Sequence, residues 1–350
     1  NNYNIMLKTE VLYFANSYNF KNFILNYDKD ILFSGDNQIL YMVNTSLPYI
    51  SGYTVRTRKI LNELQKYNII CFVKPKVDIK YKTIYSVNNI NYYYYNDVKT
   101  YKNFLIYYIN NNKKIKVIWS ASDHFNGLIS GEIGLLCNLP SIYELRGLWH
   151  YTRKYKEERN NNFNVSFFNN YDIKEKNSCY LNKYILCENK NILNICNQKY
   201  NISKNKLFLL NNGADIIKDN SELTKIFDKS KKITFGYIGS IVSYEGLENL
   251  INIFKNLDFH KYNTELLIIG GGDTNDSINT INNIKNLIKN TENIKYLGLV
   301  PYEKINLYYD IIDIICLPRI DCDVCNIVSP LKPYEAMSKG KIVLTSSVNA

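Results

Sequence analysis

Ser329-Pro-Leu-Lys-Pro-Tyr-Glu-Ala-Met337 (SPLKPYEAM) is followed by Gly340 and the apolar run Ile342-Val-Leu-Thr-Ser-Ser347. Two prolines flank a lysine, and a glutamate sits in the first turn of what reads as a Pro-started helix. Upstream, Ile311–Leu317 is an apolar run of strand length. The stretch is therefore the helix of a strand–helix–strand unit, and such units build parallel sheets. It also gathers a cation, a carboxylate and helix-start amides into one turn. Helix starts favour anions, so the grouping bears on function as well as fold.

Outward from this unit, short apolar runs alternate with stretches of helical spacing. In the C-terminal part Thr234–Ile238, Glu265–Ile269 and Ile294–Leu297 read as strands. Gly246–Asn256, Asp276–Lys289 and Pro301–Tyr309 read as helices. In the N-terminal part the strands are Ile39–Val43, Ile69–Val73, Val117–Ser120, Ser141–Leu145, Tyr184–Cys187 and Leu207–Leu210. A helix over Tyr53–Lys66 carries Val55, Ile60 and Leu64 at near-helical spacing, and another begins near Asp123. The polar segment IIKDNSELTKIFDKSKK reads as the connection between two domains. The expected organisation is an N-terminal extension over residues 1–30, one domain over 31–222 and a second over 223–350. Both domains are expected to be doubly wound, with ligands at the C-terminal ends of the strands.

Composition excludes some classes and leaves others open. With 46% hydrophobic and 21% charged residues, the 350-residue chain is an ordinary globular protein long enough for two cores. No apolar run approaches the roughly 20 residues that span a bilayer, and the start NNYNIMLKTE lacks a signal pattern. The expected location is cytoplasmic, with peripheral contact at the inner membrane face compatible with the basic balance of +11. The lysines are scattered among asparagines, so nucleic acid is not an expected partner. The 32 tyrosines, including the run Tyr92–Tyr95, offer either base-stacking rings or a compositional bias shared with Asn, Lys and Ile. Most of the eight cysteines lie in apolar runs, as small buried hydrophobes do. Cys322-Asp-Val-Cys325 is a CxxC, open to a redox role, half a zinc site, or a loop with two thiols. No second CxxC or paired histidine accompanies it, and no metal site is expected.

Several strand-end loops are unusual. Gly52 lies between a strand and a helix, where a ligand approach or a tight turn would each use it. Gly239-Ser240 ends a strand, and Tyr244-Glu245-Gly246-Leu247 opens the next helix. Phosphate at the helix-start amides and a dipole-favoured carboxylate are equal readings of Glu245. Gly270–Gly272 does not fit GxGxxG and reads as a compact turn. Asn212-Gly213 is a turn dipeptide.

Together the loops SLPYISGYTVRT, SASDHFNG, PSIYELRGLW, NNGAD, FGYIGSIVSYEGL, IIGGGD, YLGLVPYEKI, CLPRID and SPLKPYEAM stand in a distinctive order. From about Ile39 to the end, the chain resembles the group 1 nucleotide-sugar glycosyltransferases of family 4, with a GT-B fold. That resemblance implies two Rossmann-like domains facing across a cleft. It also implies a retaining transfer from a nucleotide-sugar donor to a saccharide or lipid-linked acceptor, in surface polysaccharide or glycoconjugate synthesis, without a cofactor. It assigns the ribose hydroxyls to Glu335 and the diphosphate to Lys332 and the amides near Leu331. Gly239, Ser240, Glu245, Arg319, Asn326, Ser329 and Pro330 complete the implied donor site.

The resemblance further places Arg146 beside the leaving group, in the position of a family histidine; a structural ion pair with Glu144 is the alternative. Gly52, Tyr53, Arg56, His124 and Asn126 are the implied acceptor contacts, with helix-start polarity as their alternative. Ser240 and Glu245 replace an Arg and a Lys that many relatives carry, which moves the positive charge onto Lys332 and Arg319. Ile327 replaces the first glutamate of an E-x7-E pattern, and Asn326 stands just before it. These departures keep a non-catalytic GT-B-like binder open as an alternative, beside a sugar-nucleotide epimerase. Relatives continue beyond SSVNA, so a C-terminal truncation is also expected.

Overall fold

A computed structural model describes residues 38–47, 49, 51–65, 69–73, 84–87, 90–94, 101–112, 114–215, 232–301 and 304–350. The expected extension over 1–30, Tyr95 and most of the connecting segment fall outside the described residues. The chain divides into two compact units. The first ends at Asn211, the second begins at Asn212, and Tyr155–Asn161 is grouped with the second. The expected boundary at 222/223 itself lies outside the described residues.

The first unit is built on an eight-stranded sheet. Its strands are β1 (Gln38–Val43), β2 (Ile69–Val73), β3 (Ile84–Val87), β4 (Ile90–Tyr94), β5 (Ile115–Ala121), β6 (Ser141–Leu145), β7 (Tyr184–Cys187) and β8 (Leu207–Leu209). Their order is β3-β4-β2-β1-β5-β6-β7-β8, parallel except for the β3–β4 hairpin. The helices are α1 (Gly52–Glu63), α2 (Tyr101–Asn111), α3 (His124–Cys137), α4 (Trp149–Arg159), α5 (Val165–Leu181) and α6 (Lys190–Asn194). Successive strand residues face opposite layers, as the period of two requires. Leu40, Met42, Ile70, Phe72 and Tyr93 pack on one face. Tyr41, Val43, Cys71, Val73, Tyr92 and Tyr94 pack on the other. Both faces are buried, which is why these strands read as continuous apolar runs.

The sequence reading did not anticipate β3, β4, α2, α4, α5 or α6. Tyr92, Tyr93 and Tyr94 lie buried within β4, so those rings are core residues and present no base-stacking surface. Among the described residues, nine of the twelve largest fully buried side chains are tyrosines.

The second unit holds a five-stranded parallel sheet of β9 (Ile233–Ser240), β10 (Thr264–Gly271), β11 (Ile294–Gly298), β12 (Ile314–Leu317) and β13 (Ile342–Thr345). The order is β11-β10-β9-β12-β13. Its helices are α7 (Leu247–Lys255), α8 (Phe259–Tyr262), α9 (Asn275–Leu287), α10 (Ile305–Ile311), α11 (Asp323–Ile327) and α12 (Lys332–Ser338). Tyr237, Leu266, Ile268, Ile294 and Cys316 fill one layer. Ile238, Leu267, Ile269, Ile315 and Leu317 fill the other. Among the described residues, no helix is long and apolar enough to cross a membrane.

Strand order reverses between β1 and β5 in the first sheet and between β9 and β12 in the second. Such switch points leave a crevice at the C-terminal strand ends, where ligands of open α/β sheets bind. In the second sheet only Ile314 and Ile315 of β12 pair with Phe235 and Gly236 of β9. Beyond them β9 stays paired with β10 through Gly270↔Gly239 and Gly271↔Ser240, so its last residues are free of β12.

Candidate active site

Three charged side chains meet at the β9/β12 switch point. Arg319 stands two residues beyond β12, Lys332 opens α12, and Glu245 ends a short 3-10 turn after β9. Gly246 follows Glu245 with φ +72°, and a Cβ there would lie 2.0 Å from Pro318 O. Only glycine allows the chain to pass so close. The backbone contact fixes Glu245 beneath the β12 end, where Ile320 N also bonds Tyr244 O. Glu245 therefore precedes the N-cap of α7 instead of entering its first turn, so the reading of it as a first-turn carboxylate does not hold.

Glu245 is 4% exposed and Arg319 is 5% exposed. Lys332 Nζ lies 2.9 Å from Glu245 Oε2, charge to charge without an aligned hydrogen bond. Arg319 Nε is 3.7 Å from Oε1, has no acceptor within hydrogen-bond geometry, and is fully buried. Its Nη1 donates to Val328 O at 2.8 Å. Lys332 Nζ also lies 5.2 Å above the Tyr237 ring, a favourable cation–π position. Burial, and then the Glu245 charge, hold the Tyr237 phenol well above its ordinary value, and its O–H donates to Ser240 O at 2.6 Å.

Gly239 shapes the path of the lysine. Its φ is +150°, and a Cβ there would lie 2.3 Å from Lys332 Cε. Ser240 is the exposed last residue of β9. Ser329, Pro330 and Leu331 lead into α12, and Asn212 Nδ2 holds Ser329 O at 2.9 Å. Glu335 follows Lys332 by three residues and so shares its helix face; its N–H donates to Leu331 O. Asn326 lies on α11 and is bound within the unit, donating to Asp321 Oδ1 at 2.6 Å and accepting from Asn349 N at 2.9 Å. The residues expected at the donor site thus lie at the end of β9 and in the turn after it, in the segment after β12, on α11 and at the start of α12.

The family model described as glycosyl transferases group 1 matches residues 219–350. The second unit is thus similar to that family. Solved structures agree in fold. Sucrose-phosphate synthase from Thermosynechococcus elongatus superposes with a TM-score of 0.62 at 14% identity, over 89% of this chain and 82% of that one. HepE from Anabaena, in complex with UDP-glucose, gives 0.62 at 10% identity over 89% and 80%. The catalytic domain of starch synthase IV from Arabidopsis thaliana, bound to ADP and acarbose, gives 0.62 at 11% identity over 90% and 83%. Among curated proteins, no sequence matches this chain.

The first unit gathers its own expected residues at the β1/β5 switch point and the neighbouring end of β6. Glu144 is almost fully buried, with Arg56 Nε and Arg146 Nε each 2.9 Å from Oε1. Arg146 Nη2 donates to Oε2 at 2.9 Å and to Tyr41 OH at 2.8 Å. Its Nη1 donates to Tyr53 O at 3.0 Å and Thr57 Oγ1 at 2.6 Å. All five N–H donors of Arg146 are thereby occupied. Arg146 thus forms the ion pair with Glu144 that the sequence reading gave as its alternative. Burial raises the Glu144 pKa, but Arg146 and Arg56 outweigh it and bring the group down to about 2.

The expected acceptor residues share this environment. Ser51 and Thr54 form a capping box that starts α1 with Gly52 exposed at its first position. Tyr53 donates to Ser122 O at 2.8 Å, and its ring lies 4.5 Å from Arg146 Cζ. Arg56 Nη2 donates to Leu210 O at 2.7 Å. Arg56 is buried and serves the ion network and the end of β8. His124 is 9% exposed, with its ring edge-on to Tyr171 at 4.5 Å. Asn126 is fully buried and donates to Ala121 O at 3.2 Å. There it secures the start of α3 and is closed off from solvent.

Sequence reasoning missed a second polar cluster in this unit. His150 Nε2 lies 3.0 Å from Asp172 Oδ1, which also accepts from Lys199 and Tyr200 at 2.8 Å each. Burial raises the Asp172 pKa, but its hydrogen bonds from His150, Lys199 and Tyr200 hold it below the usual carboxylate range. His150 stands next to the ELRGLW motif, which is the one signal that pointed there.

Proposed function

We propose that the chain is a retaining glycosyltransferase whose second unit holds the nucleotide-sugar through Lys332, Arg319 and Glu335. The carrying observation is the pair of cations at the β9/β12 switch point that share one carboxylate and keep unused donors. A buried donor without an acceptor is costly, and a diphosphate oxygen is a partner of suitable charge for Arg319 Nε and Lys332 Nζ. Glu335, on the same helix face, takes the two ribose hydroxyls. Two cations against Glu245 leave one positive charge for the leaving group, and amides near Leu331 add to it.

In this reading the bond between the anomeric carbon and the diphosphate oxygen lengthens, and the sugar gains oxocarbenium character. The acceptor hydroxyl oxygen bonds to that carbon on the face of the departing group, and its proton passes to the leaving phosphate. Catalysis rests on stabilising the leaving charge and placing the acceptor. No cofactor is needed when side-chain cations supply the compensation. Tyr53 and Gly52 remain candidates for a saccharide or lipid-linked acceptor in surface polysaccharide or glycoconjugate synthesis. Such an acceptor brings the enzyme to the inner membrane face as a peripheral cytoplasmic protein.

The structural relatives carrying UDP-glucose or ADP support starting with those nucleotides. In a thermal-shift series with UDP, GDP, ADP and CMP, one nucleotide should stabilise the wild type. Lys332→Ala and Glu335→Ala should lose that stabilisation and donor turnover while keeping the wild-type circular dichroism spectrum. Full turnover in both variants would remove the assignment.

A further inference from the structure

The CxxC of the donor-side loop is not used by glycosyl transfer, and its environment is unlike that of the other thiols. All eight cysteines are free, six are buried, and only Cys137 and Cys322 are partly exposed. Cys322 and Cys325 stand one turn apart, with Asn326 N bonded to Cys322 O at 3.0 Å. Positions three apart in such a turn are neighbours. The adjacent Cys325 side chain, the backbone N–H groups of Cys325 and Val324, and the charge of Arg319 together hold the Cys322 thiol below its ordinary value. Cys325 is pushed the other way by the neighbouring Cys322 and by burial, and its Sγ lies 3.5 Å from Tyr244 O. An accessible, acidic first thiol beside a buried second one is the arrangement of a nucleophilic and a resolving cysteine.

We propose that Cys322 and Cys325 are a redox-active dithiol that low-molecular-weight disulfides such as glutathione disulfide oxidise to an intramolecular disulfide. The Cys322 thiolate attacks one sulfur of the reagent, whose S–S bond breaks and releases one thiolate. Cys325 then gives up its proton to that thiolate and attacks Cys322 Sγ, expelling the second reagent thiolate, which takes a proton from water. Two protein thiols are oxidised and one disulfide is reduced to two thiols. The new bond closes the loop between Arg319 and Lys332, across α11 and beside Tyr244. This modification site stands independently of which nucleotide or sugar the enzyme uses.

The test uses the full chain in mixtures of reduced and oxidised glutathione, quenched with acid, alkylated and read by peptide mass. The peptide with Cys322 and Cys325 should lose two hydrogens as the mixture becomes oxidising and regain them with dithiothreitol. At neutral pH Cys322 should alkylate about tenfold faster than Cys137, the other partly exposed thiol. Cys325→Ser should accumulate a glutathione adduct on Cys322, and Cys322→Ser should abolish both products. The wild-type measurement stands even if a variant folds poorly. Equal alkylation of Cys322 and Cys137, or glutathione adducts on Cys137 while the pair stays reduced, would overturn the proposal.

Discussion

Each unit places one buried carboxylate between two cations at its strand ends, and the two clusters differ in how completely they are satisfied. Around Glu144, every N–H of Arg146 has a protein acceptor, and Tyr41 supplies a further bond at 2.7 Å. Around Glu245, Lys332 and Arg319 are drawn close but not fully bonded, and Arg319 Nε is buried without an acceptor. The residue types are nearly the same. A closed network fixes a fold, whereas an open one is prepared for a ligand that brings its own acceptors. Hydrogen-bond saturation therefore separates the structural ion pair from the proposed binding site where charge and burial do not.

The sharpest way to break this comparison is to remove one cation from each cluster. Arg146→Ala leaves Glu144 buried with a partner missing, a loss of about 3–5 kcal/mol, readable as a lower urea midpoint. Next, Lys332→Ala should lower kcat about 10²–10³-fold, as removal of one transition-state donor does, with a smaller fall in the urea midpoint than Arg146→Ala, since Lys332 is more exposed. If the two variants exchanged effects, the distinction between closed and open networks would fail. A smaller effect is expected from Gly239→Ala, whose added methyl strains a φ of +150° and displaces Lys332 Cε. It should destabilise the protein by about 1–3 kcal/mol and raise the donor KM.

Acidity sharpens the picture within the first unit. Glu144 is lowered to about 2, so its contribution is complete above the ordinary carboxylate value of 4.5 and is lost as pH falls through 2. Glu175 is raised to about 8, chiefly by burial. Its contribution is complete below 4.5 and is lost as pH rises through 8. Glu175→Gln keeps an acceptor for the Tyr143 hydroxyl and should flatten the fall in Tm between those values; an unchanged fall would place its cause elsewhere. The smallest effect belongs to Asn326→Ala. Its bonds to Asp321 and Asn349 are exposed, so stability should shift by no more than about 0.5 kcal/mol. A large loss of donor binding there would bring Asn326 back as a sugar contact.

The parallel strands were legible because both faces of each sheet are buried, which leaves unbroken apolar runs such as Ile69–Val73 and Glu265–Ile269. The β3–β4 hairpin was not, since asparagines and tyrosines fill it and obscure its alternation. The helix α5 reads VSFFNNYDIKEKNSCYL and buries only Glu175, Ser178 and Cys179 along its length, so it shows little apolar periodicity. At the site, Lys332 and Glu335 were visible through a local motif. The status of Arg146 was not, because Tyr41 lies 105 residues away in sequence and Arg56 is 88 from their shared Glu144. Glu245 stood out only as a departure from a pattern. Its purpose appears once Gly246 is seen to press the turn against Pro318.

A core assembled from phenols in place of phenyl rings turns alkali into an optical probe of folding. Burial holds Tyr41, Tyr143 and Tyr237 well above the ordinary phenol value, so each stays protonated as long as its sheet remains intact. Rising pH ionises the surface rings first. The ultraviolet absorbance of the remaining phenolates then appears only as the sheets come apart, and that second step times the collapse of the core without any added label.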